Sequence, residues 1–173
     1  MRLIAFYAPY TGAGKSLAAR WVSRRCNMVQ ASFATPLRMV VRALTPPIVQ
    51  YENKDEVISD LGVSWRQIMV AFGNAGRNLS QNFWVRIMER RFALFPFDYV
   101  VDDLRFLNEY DFLRQRGAKI IRIENPGREV VTTATEGRLE SERFDAVITN
   151  TKKSLRAYLR DVESTAAKLL GEG

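Results

Sequence analysis

The chain has 173 residues, 47% of them apolar and 26% charged, with a net charge of +7 and a pI of about 9.9. One cysteine, Cys26, and no histidine exclude a disulfide framework, a cysteine zinc site, histidine metal ligands and every Ser-His or Cys-His nucleophile pair. No apolar run approaches the ~18 residues of a membrane span, so the expectation is a single cytoplasmic domain with no membrane partner.

Residues 3–7 form an apolar run that flows into a Gly-rich loop, which reads as a buried strand and not as a secretory leader. Residues 15–25 lack Gly and Pro and read as a helix. A short strand is expected at 29–33. Pro36 opens a helix with Leu37, Val40, Val41 and Leu44 inward, and Pro46-Pro47 stops it. The polar stretch 48–61 is expected as loop plus a short helix. Ser64 is an N-cap for a helix that buries Trp65, Ile68, Met69 and Phe72, with Gly73 and Gly76 expected to break it.

A helix over 83–95 ends at Pro96, and a strand over 99–101 runs into Asp102-Asp103. A helix over 108–116 stops at Gly117. A strand over 119–123 precedes the turn Asn125-Pro126-Gly127. A strand over 144–149 and a long amphipathic helix over 154–170 complete the chain. Strands alternating with helices predict an α/β fold, a mostly parallel sheet with helices on both faces.

The positive charge points to a polyanionic ligand, nucleic acid or phosphorylated small molecules. The basic residues are scattered, with no run of five or six, which favours an Arg-lined pocket over a nucleic-acid-binding tail.

A phosphate-binding loop of the Walker A type needs G-x-x-x-x-G-K-[ST] between a strand and a helix. Residues 9–16, Pro-Tyr-Thr-Gly-Ala-Gly-Lys-Ser, occupy that place, with Pro9 where the first glycine belongs. Gly12, Ala13 and Gly14 can turn backbone N–H groups toward a phosphate with little side chain in the way. Lys15 would reach the β- and γ-phosphates of ATP, the Ser16 hydroxyl would bind Mg²⁺, and the dipole of the following helix would add attraction.

Such a site also needs an acidic group at the end of a neighbouring strand. Asp102-Asp103 supplies it, Asp103 being favoured for the ion shell and Asp102 second. Arg105 follows closely, and Arg77 sits beside Gly73 and Gly76 between two amphipathic helices. Guanidinium groups hold phosphate oxygens in a forked geometry. Trp84 reads as a core residue before a base-stacking platform. The polar segment 127–142, with Arg128, Arg138 and Arg143, fits a mobile lid or an ordinary loop.

Four segments in order then resemble the phage-type deoxynucleoside monophosphate kinases. Val101-Asp102-Asp103-Leu104-Arg105-Phe106-Leu107-Asn108-Glu109, with Arg114, Gly117 and Ile120-Ile121-Arg122-Ile123, resembles the family's "DVRF-NE … G … IRI" block. Ser32-Phe33-Ala34-Thr35-Pro36-Leu37-Arg38 is similar to "FA-PLK". Phe72-Gly73-Asn74-Ala75-Gly76-Arg77 with Trp84-Val85 is similar to "LGT-GR … WV". Ser141-Glu142, Phe144-Asp145 and Ile148-Thr149-Asn150 resemble "H-SE … FD-VI-N". Pro9 and Leu139 depart from the pattern, the latter standing where the family has His.

The resemblance implies a P-loop kinase three-layer sandwich, about five parallel strands with helices on both faces. It implies a monophosphate-binding region at about 33–90 and a lid at about 125–142. The implied reaction moves the γ-phosphoryl of ATP to a deoxynucleoside monophosphate, with Mg²⁺ and without a general base. Gly12, Ala13, Gly14, Lys15, Ser16 and Leu17 would bind ATP, with Asn150 and Lys152 near its adenine. Arg77 and Arg105 would hold the acceptor phosphate, and Phe33, Leu37 and Arg38 would face its nucleoside. Thr11, Trp84, Asp103 and Glu142 complete the acceptor set, and Arg128 would close from the lid. Three alternatives stay open: a kinase of another small acceptor such as dephospho-coenzyme A or a sugar acid, a nucleic-acid-binding ATPase, and a nucleotide-binding module without turnover. No nucleic acid is expected as a partner, and the terminal helix leaves open a homodimer.

Overall fold

The computed structural model describes residues 1–44, 55–58, 61–126, 139–151 and 154–171. Pro46-Pro47, much of the 48–61 stretch, Gly127, Arg128, Arg138, Lys152 and the side chain of Leu44 lie outside the described residues. In chain order the elements are β1 (Leu3–Tyr7), α1 (Lys15–Arg25), β2 (Val29–Ala31), α2 (Thr35–Leu44), β3 (Val57–Ile58), β4 (Val63–Ser64), α3 (Trp65–Leu79), α4 (Phe83–Leu94), β5 (Tyr99–Val101), α5 (Leu107–Gln115), β6 (Lys119–Glu124), β7 (Ala146–Thr149) and α6 (Leu155–Leu170). They fall into two compact units, one of Met1–Ser32 with Phe92–Gly173, the other Phe33–Arg91.

The first unit is built on a five-stranded sheet in the order β2-β5-β1-β6-β7, every pair parallel. β1 is central. All five of its residues are buried, as an apolar run covered on both faces must be. It pairs with β5 at Ala5↔Val101 and with β6 at Ala5↔Ile120.

On one face Ile4, Phe6, Val100, Ile121 and Ile148 pack against Ala18, Ala19 and Val22 of α1 and against Tyr158, Val162 and Ala166 of α6. On the other, Phe92 lies 4.5 Å from the Tyr99 ring and 6.0 Å from Phe112 of α5. Each buried aliphatic side chain contributes roughly 1.5–3 kcal/mol. Truncating the fully buried Ile121 to Ala is expected to cost about 2–5 kcal/mol. In such a sheet the carboxyl ends of all strands open on one edge. Where the strand order reverses beside the first strand, a crevice forms for ligands. The loop of residues 8–14 leaves β1 at that edge.

The second unit holds α2, the β3–β4 hairpin, α3 and the start of α4. Its core is Leu37, Val41 and Trp65, with Ile68, Met69 and Trp84 packed on it. Ser64 caps α3 as expected: Gln67 N donates to its hydroxyl at 3.2 Å, and Gln67 Oε1 accepts from Ser64 N at 2.7 Å. Residues 57–58, within the stretch expected as loop plus a short helix, pair as a strand with 63–64. One expectation is corrected here: α3 runs unbroken through Gly73 and Gly76.

The reason is Trp84. Its Nε1 donates to the Gly73 carbonyl at 3.0 Å, and a Cβ on Gly76 would stand 2.7 Å from the indole. Gly76 makes room for the indole, while a Cβ on Gly73 would meet Arg77 Nη2 at 3.2 Å and Leu37 at 3.5 Å; this packing offsets a helix cost of about 1 kcal/mol for each glycine. Val40 and Phe72, expected inward, are 46% and 38% exposed. Only their apolar character points them inward, and the inner stripe of the two helices is filled by Leu37, Val41 and Trp65.

The last strand starts at Ala146 and not at 144, because its two forerunners are used otherwise. Phe144 stacks on Tyr7 at 5.2 Å. Asp145 Oδ2 accepts from Arg114 Nη1 at 2.5 Å and from Ile120 N at 2.7 Å. Among the described residues no helix is long and apolar enough to cross a membrane.

Candidate active site

The loop between β1 and α1 is shaped by glycines with left-handed backbones. Gly12 has φ +79° and Gly14 has φ +111°, conformations that an L side chain resists. Pro9 takes the place of the first glycine without conflict, since the left-handed turns fall at 12 and 14. The Tyr10 ring is buried, and its hydroxyl accepts a hydrogen bond from the Asn125 backbone N–H.

Gly14 is the N-cap of α1 and has no side chain with which to satisfy the first-turn N–H groups. No acidic residue lies in that turn, so its partial positive charge has no carboxylate of its own there. Lys15 Nζ donates back to the loop, to Tyr10 O at 3.2 Å and to Ala8 O at 3.4 Å. Thr11, Gly12, Ser16 and Leu17 are exposed on the same loop and first turn, and Ala13 is buried. Two residues from the far end of the chain meet the loop: Asn150 Nδ2 donates to Ala13 O at 3.0 Å and Tyr158 Oη to Gly14 O at 3.2 Å.

The acidic pair follows β5, next to β1. Asp102 is buried, and its Oδ2 accepts from Gln30 Nε2 at 2.7 Å. Asp103 is half-buried, and its Oδ2 accepts from the buried Ser32 hydroxyl at 2.5 Å. The next turn is held by Glu109, whose Oε2 accepts from Arg105 N at 2.9 Å and Phe106 N at 3.1 Å. Burial, reinforced by the charge of Asp103, pushes the Glu109 carboxyl up to about 8. Arg105 is thus held by its backbone, with a half-buried side chain.

The expected acceptor residues divide between the units. Asp103, Arg105, Thr11 and Glu142 belong to the first. Glu142 is half-buried and its N–H donates to Leu139 O at 3.2 Å. Leu139 itself is fully buried. Beside it Tyr7 donates to Glu140 Oε1 at 3.0 Å, and Arg122 pairs with Glu140 at 2.7 Å and Glu124 at 2.9 Å. Phe33, Leu37, Arg38, Arg77 and Trp84 belong to the second unit. There Phe33 and Leu37 are buried, Arg38 is half-buried, and Arg77 Nη2 donates to Asn74 Oδ1 at 2.8 Å.

Sequence reasoning missed Gln30, Ser32, Tyr158 and the buried role of Glu109. Ser32 and Glu109 stood inside matched motifs without an assigned task. Tyr158 carried no signal beyond an apolar position on an amphipathic helix.

A parallel sheet with helices on both faces and a Gly-Lys-Ser loop capping the helix after β1 is the architecture of a P-loop kinase. The profile of the deoxynucleotide monophosphate kinase family matches residues 19–159, and the chain belongs to that family. A protein of Acanthamoeba polyphaga mimivirus that carries the name of a deoxynucleotide monophosphate kinase is 27% identical over 163 residues, covering 82% of this chain and 84% of the relative. Among solved structures, a gluconokinase from Sinorhizobium meliloti superposes with a TM-score of 0.52 at 14% identity, covering 97% of this chain and 93% of the other. That likeness is one of fold. The chain is a phosphotransferase of the nucleotide-kinase kind. Residues 9–16 lie before the matched residues, so a phosphate-binding reading of them rests on their own sequence and geometry.

Proposed function

We propose that the chain transfers the γ-phosphoryl group of ATP to a deoxynucleoside monophosphate, with Mg²⁺, at the loop of residues 9–16. The observation that carries this reading is the loop itself, with left-handed glycines at 12 and 14, an uncapped helix start, and Lys15 folded over it. Polyphosphate fits such a cradle, because backbone donors and a helix N-terminus favour an anion that brings its own acceptors.

Mg²⁺ fits a site with one or two hard oxygens from the protein and the rest from phosphates and water. Ser16 on the first turn of α1 and Asp103 after β5 are of that kind. When bound, the ion would neutralise charge on the phosphate oxygens.

In the reaction an oxygen of the acceptor monophosphate bonds to the γ-phosphorus as the bond to the β,γ-bridging oxygen breaks, and ADP leaves. The acceptor oxygen is already ionised, so no general base is needed. Lys15 would follow the β- and γ-oxygens, offsetting charge as it develops. Arg105 and Arg77 are each proposed, separately, as acceptor-phosphate ligands, and Phe33, Leu37, Arg38 and Trp84 as nucleoside contacts. Thr11 and Glu142 are proposed for the acceptor, and Leu17, Asn150 and Lys152 for ATP. Arg128 is proposed to add charge to the transfer site. The scattered basic residues support phosphate ligands and not nucleic acid.

The test is a coupled assay with ATP and Mg²⁺ against dAMP, dGMP, dCMP, dTMP and dephospho-coenzyme A in turn. Diphosphate formation from at least one deoxynucleotide is expected. Turnover of dephospho-coenzyme A alone would overturn the acceptor class.

A further inference from the structure

Two side chains from the C-terminal part of the first unit close on one side of the phosphate loop. Asn150, directly after β7, donates Nδ2 to the Ala13 carbonyl at 3.0 Å. Tyr158, in the first turn of α6 and only 5% exposed, donates its hydroxyl to the Gly14 carbonyl at 3.2 Å. The approach is close: a Cβ on Gly14 would stand 2.8 Å from the Tyr158 hydroxyl and 3.0 Å from Asn150 Nδ2. Glycine at 14 is therefore required by its neighbours as well as by its backbone angle.

A trans peptide is planar, and its C=O and N–H point in opposite directions. A carbonyl of Ala13 fixed toward Asn150 turns the Gly14 N–H to the opposite side. The Gly14 carbonyl is fixed twice, by Tyr158 and by the Ala18 N–H at 2.9 Å. The Lys15 N–H is turned away from both. These are the two amides at which the loop becomes α1.

We infer that Asn150 and Tyr158 are positioning residues that aim the Gly14 and Lys15 amides at a polyphosphate, so that the cradle is set before the ligand arrives. The inference rests on reading residues 9–16 as a phosphate loop. It gives Asn150 a task on the phosphate side, in place of the adenine side that the family resemblance implies. A loop set in advance avoids the ordering cost that a free Gly-rich segment meets on binding. The Tyr158 hydroxyl is suited to this, since burial pushes its ionisation well above the ordinary tyrosine range and it stays a donor.

Calorimetric titration of inorganic tripolyphosphate and, separately, of ATP with Mg²⁺ tests this. The proteins are the unaltered chain, Tyr158→Phe and Asn150→Ala, each with a thermal melt and steady-state kinetics. Tyr158→Phe keeps the ring and removes only the hydroxyl. Both ligands are expected to weaken by a similar factor, about three- to tenfold per variant, as for one lost hydrogen bond. The KM for ATP should rise with the acceptor KM unchanged.

Variants that melt lower yet hold tripolyphosphate as tightly as the unaltered chain would overturn the inference and leave the two residues a packing role. Weaker ATP binding with tripolyphosphate unaffected would also overturn it, in favour of a base contact. Failure of the unaltered chain to bind either ligand would overturn the phosphate-loop reading beneath it, a failure visible before any variant is made.

Discussion

Ser32 and Asp103 are joined by a hydrogen bond of 2.5 Å, from the serine hydroxyl to Oδ2 of the aspartate. Ser32 follows β2 and Asp103 follows β5, two strands paired in parallel at Ala31↔Val101. The bond therefore sets one oxygen of the proposed ion-shell carboxylate from the neighbouring strand. Ser32→Ala is expected to raise the Mg²⁺ concentration for half-maximal velocity about fivefold, the worth of a ~1 kcal/mol hydrogen bond. An unchanged Mg²⁺ dependence would separate Asp103 from the ion.

Glu109 makes stability depend on pH. Its carboxyl titrates at about 8 in the folded chain against an ordinary 4.5, chiefly through burial and secondarily through Asp103. Between those values the folded chain holds a proton that the unfolded chain has released. The contribution is complete below the ordinary value, falls as pH rises and is gone above the folded value. Urea midpoints should decline across that window, and Glu109→Gln, which cannot ionise, should flatten the decline. Parallel curves for the two proteins would contradict the assignment.

Gly76→Ala should destabilise the second unit. In an open helix this change gains up to about 1 kcal/mol. Here the added methyl would stand 2.7 Å from the Trp84 indole, and overpacking costs about 1–3 kcal/mol. The sign decides: a lower melting temperature is expected, and a higher one would mean that the indole has room to move.

Asp145 serves the sheet, although it stands in a matched motif. It accepts from Arg114 and from the Ile120 N–H, one residue before the first pair of β6 with β7 at Ile121↔Ala146. Asp145→Ala is expected to cost about 1–3 kcal/mol in chemical denaturation. The KM values for both substrates should stay put, and a changed acceptor KM would give Asp145 a direct role.

The strands, the loop and most helices were legible because their signals are local. An apolar run ending in Gly-x-Gly-Lys-Ser, or a Ser just before an apolar helical stripe, carries its meaning within a few positions. What was not legible depends on distant partners. Gly76 reads as a breaker because Trp84, which explains it, lies in another helix. The hairpin at 57–64 has two-residue strands, too short for any alternation to show. Within the site, the motifs presented Asp103, Arg105 and Glu109 together. Only folding shows that Glu109 turns inward to hold the Arg105 backbone, and that Ser32 and Gln30 hold the two aspartates. Tyr158 has no local signal within the amphipathic helix over 154–170; its hydroxyl has a task only through the packing of α6 against the loop.

The most direct test of the central claim is the turnover of Lys15→Ala with ATP, Mg²⁺ and the preferred deoxynucleotide, in protein whose circular dichroism matches the unaltered chain. Removal of the Lys15 ammonium group, which donates to the loop carbonyls of Ala8 and Tyr10, should cut kcat by about 10²–10³, the range for a lost transition-state charge contact. Near-normal turnover would contradict the assignment of residues 9–16 as the phosphate-binding loop.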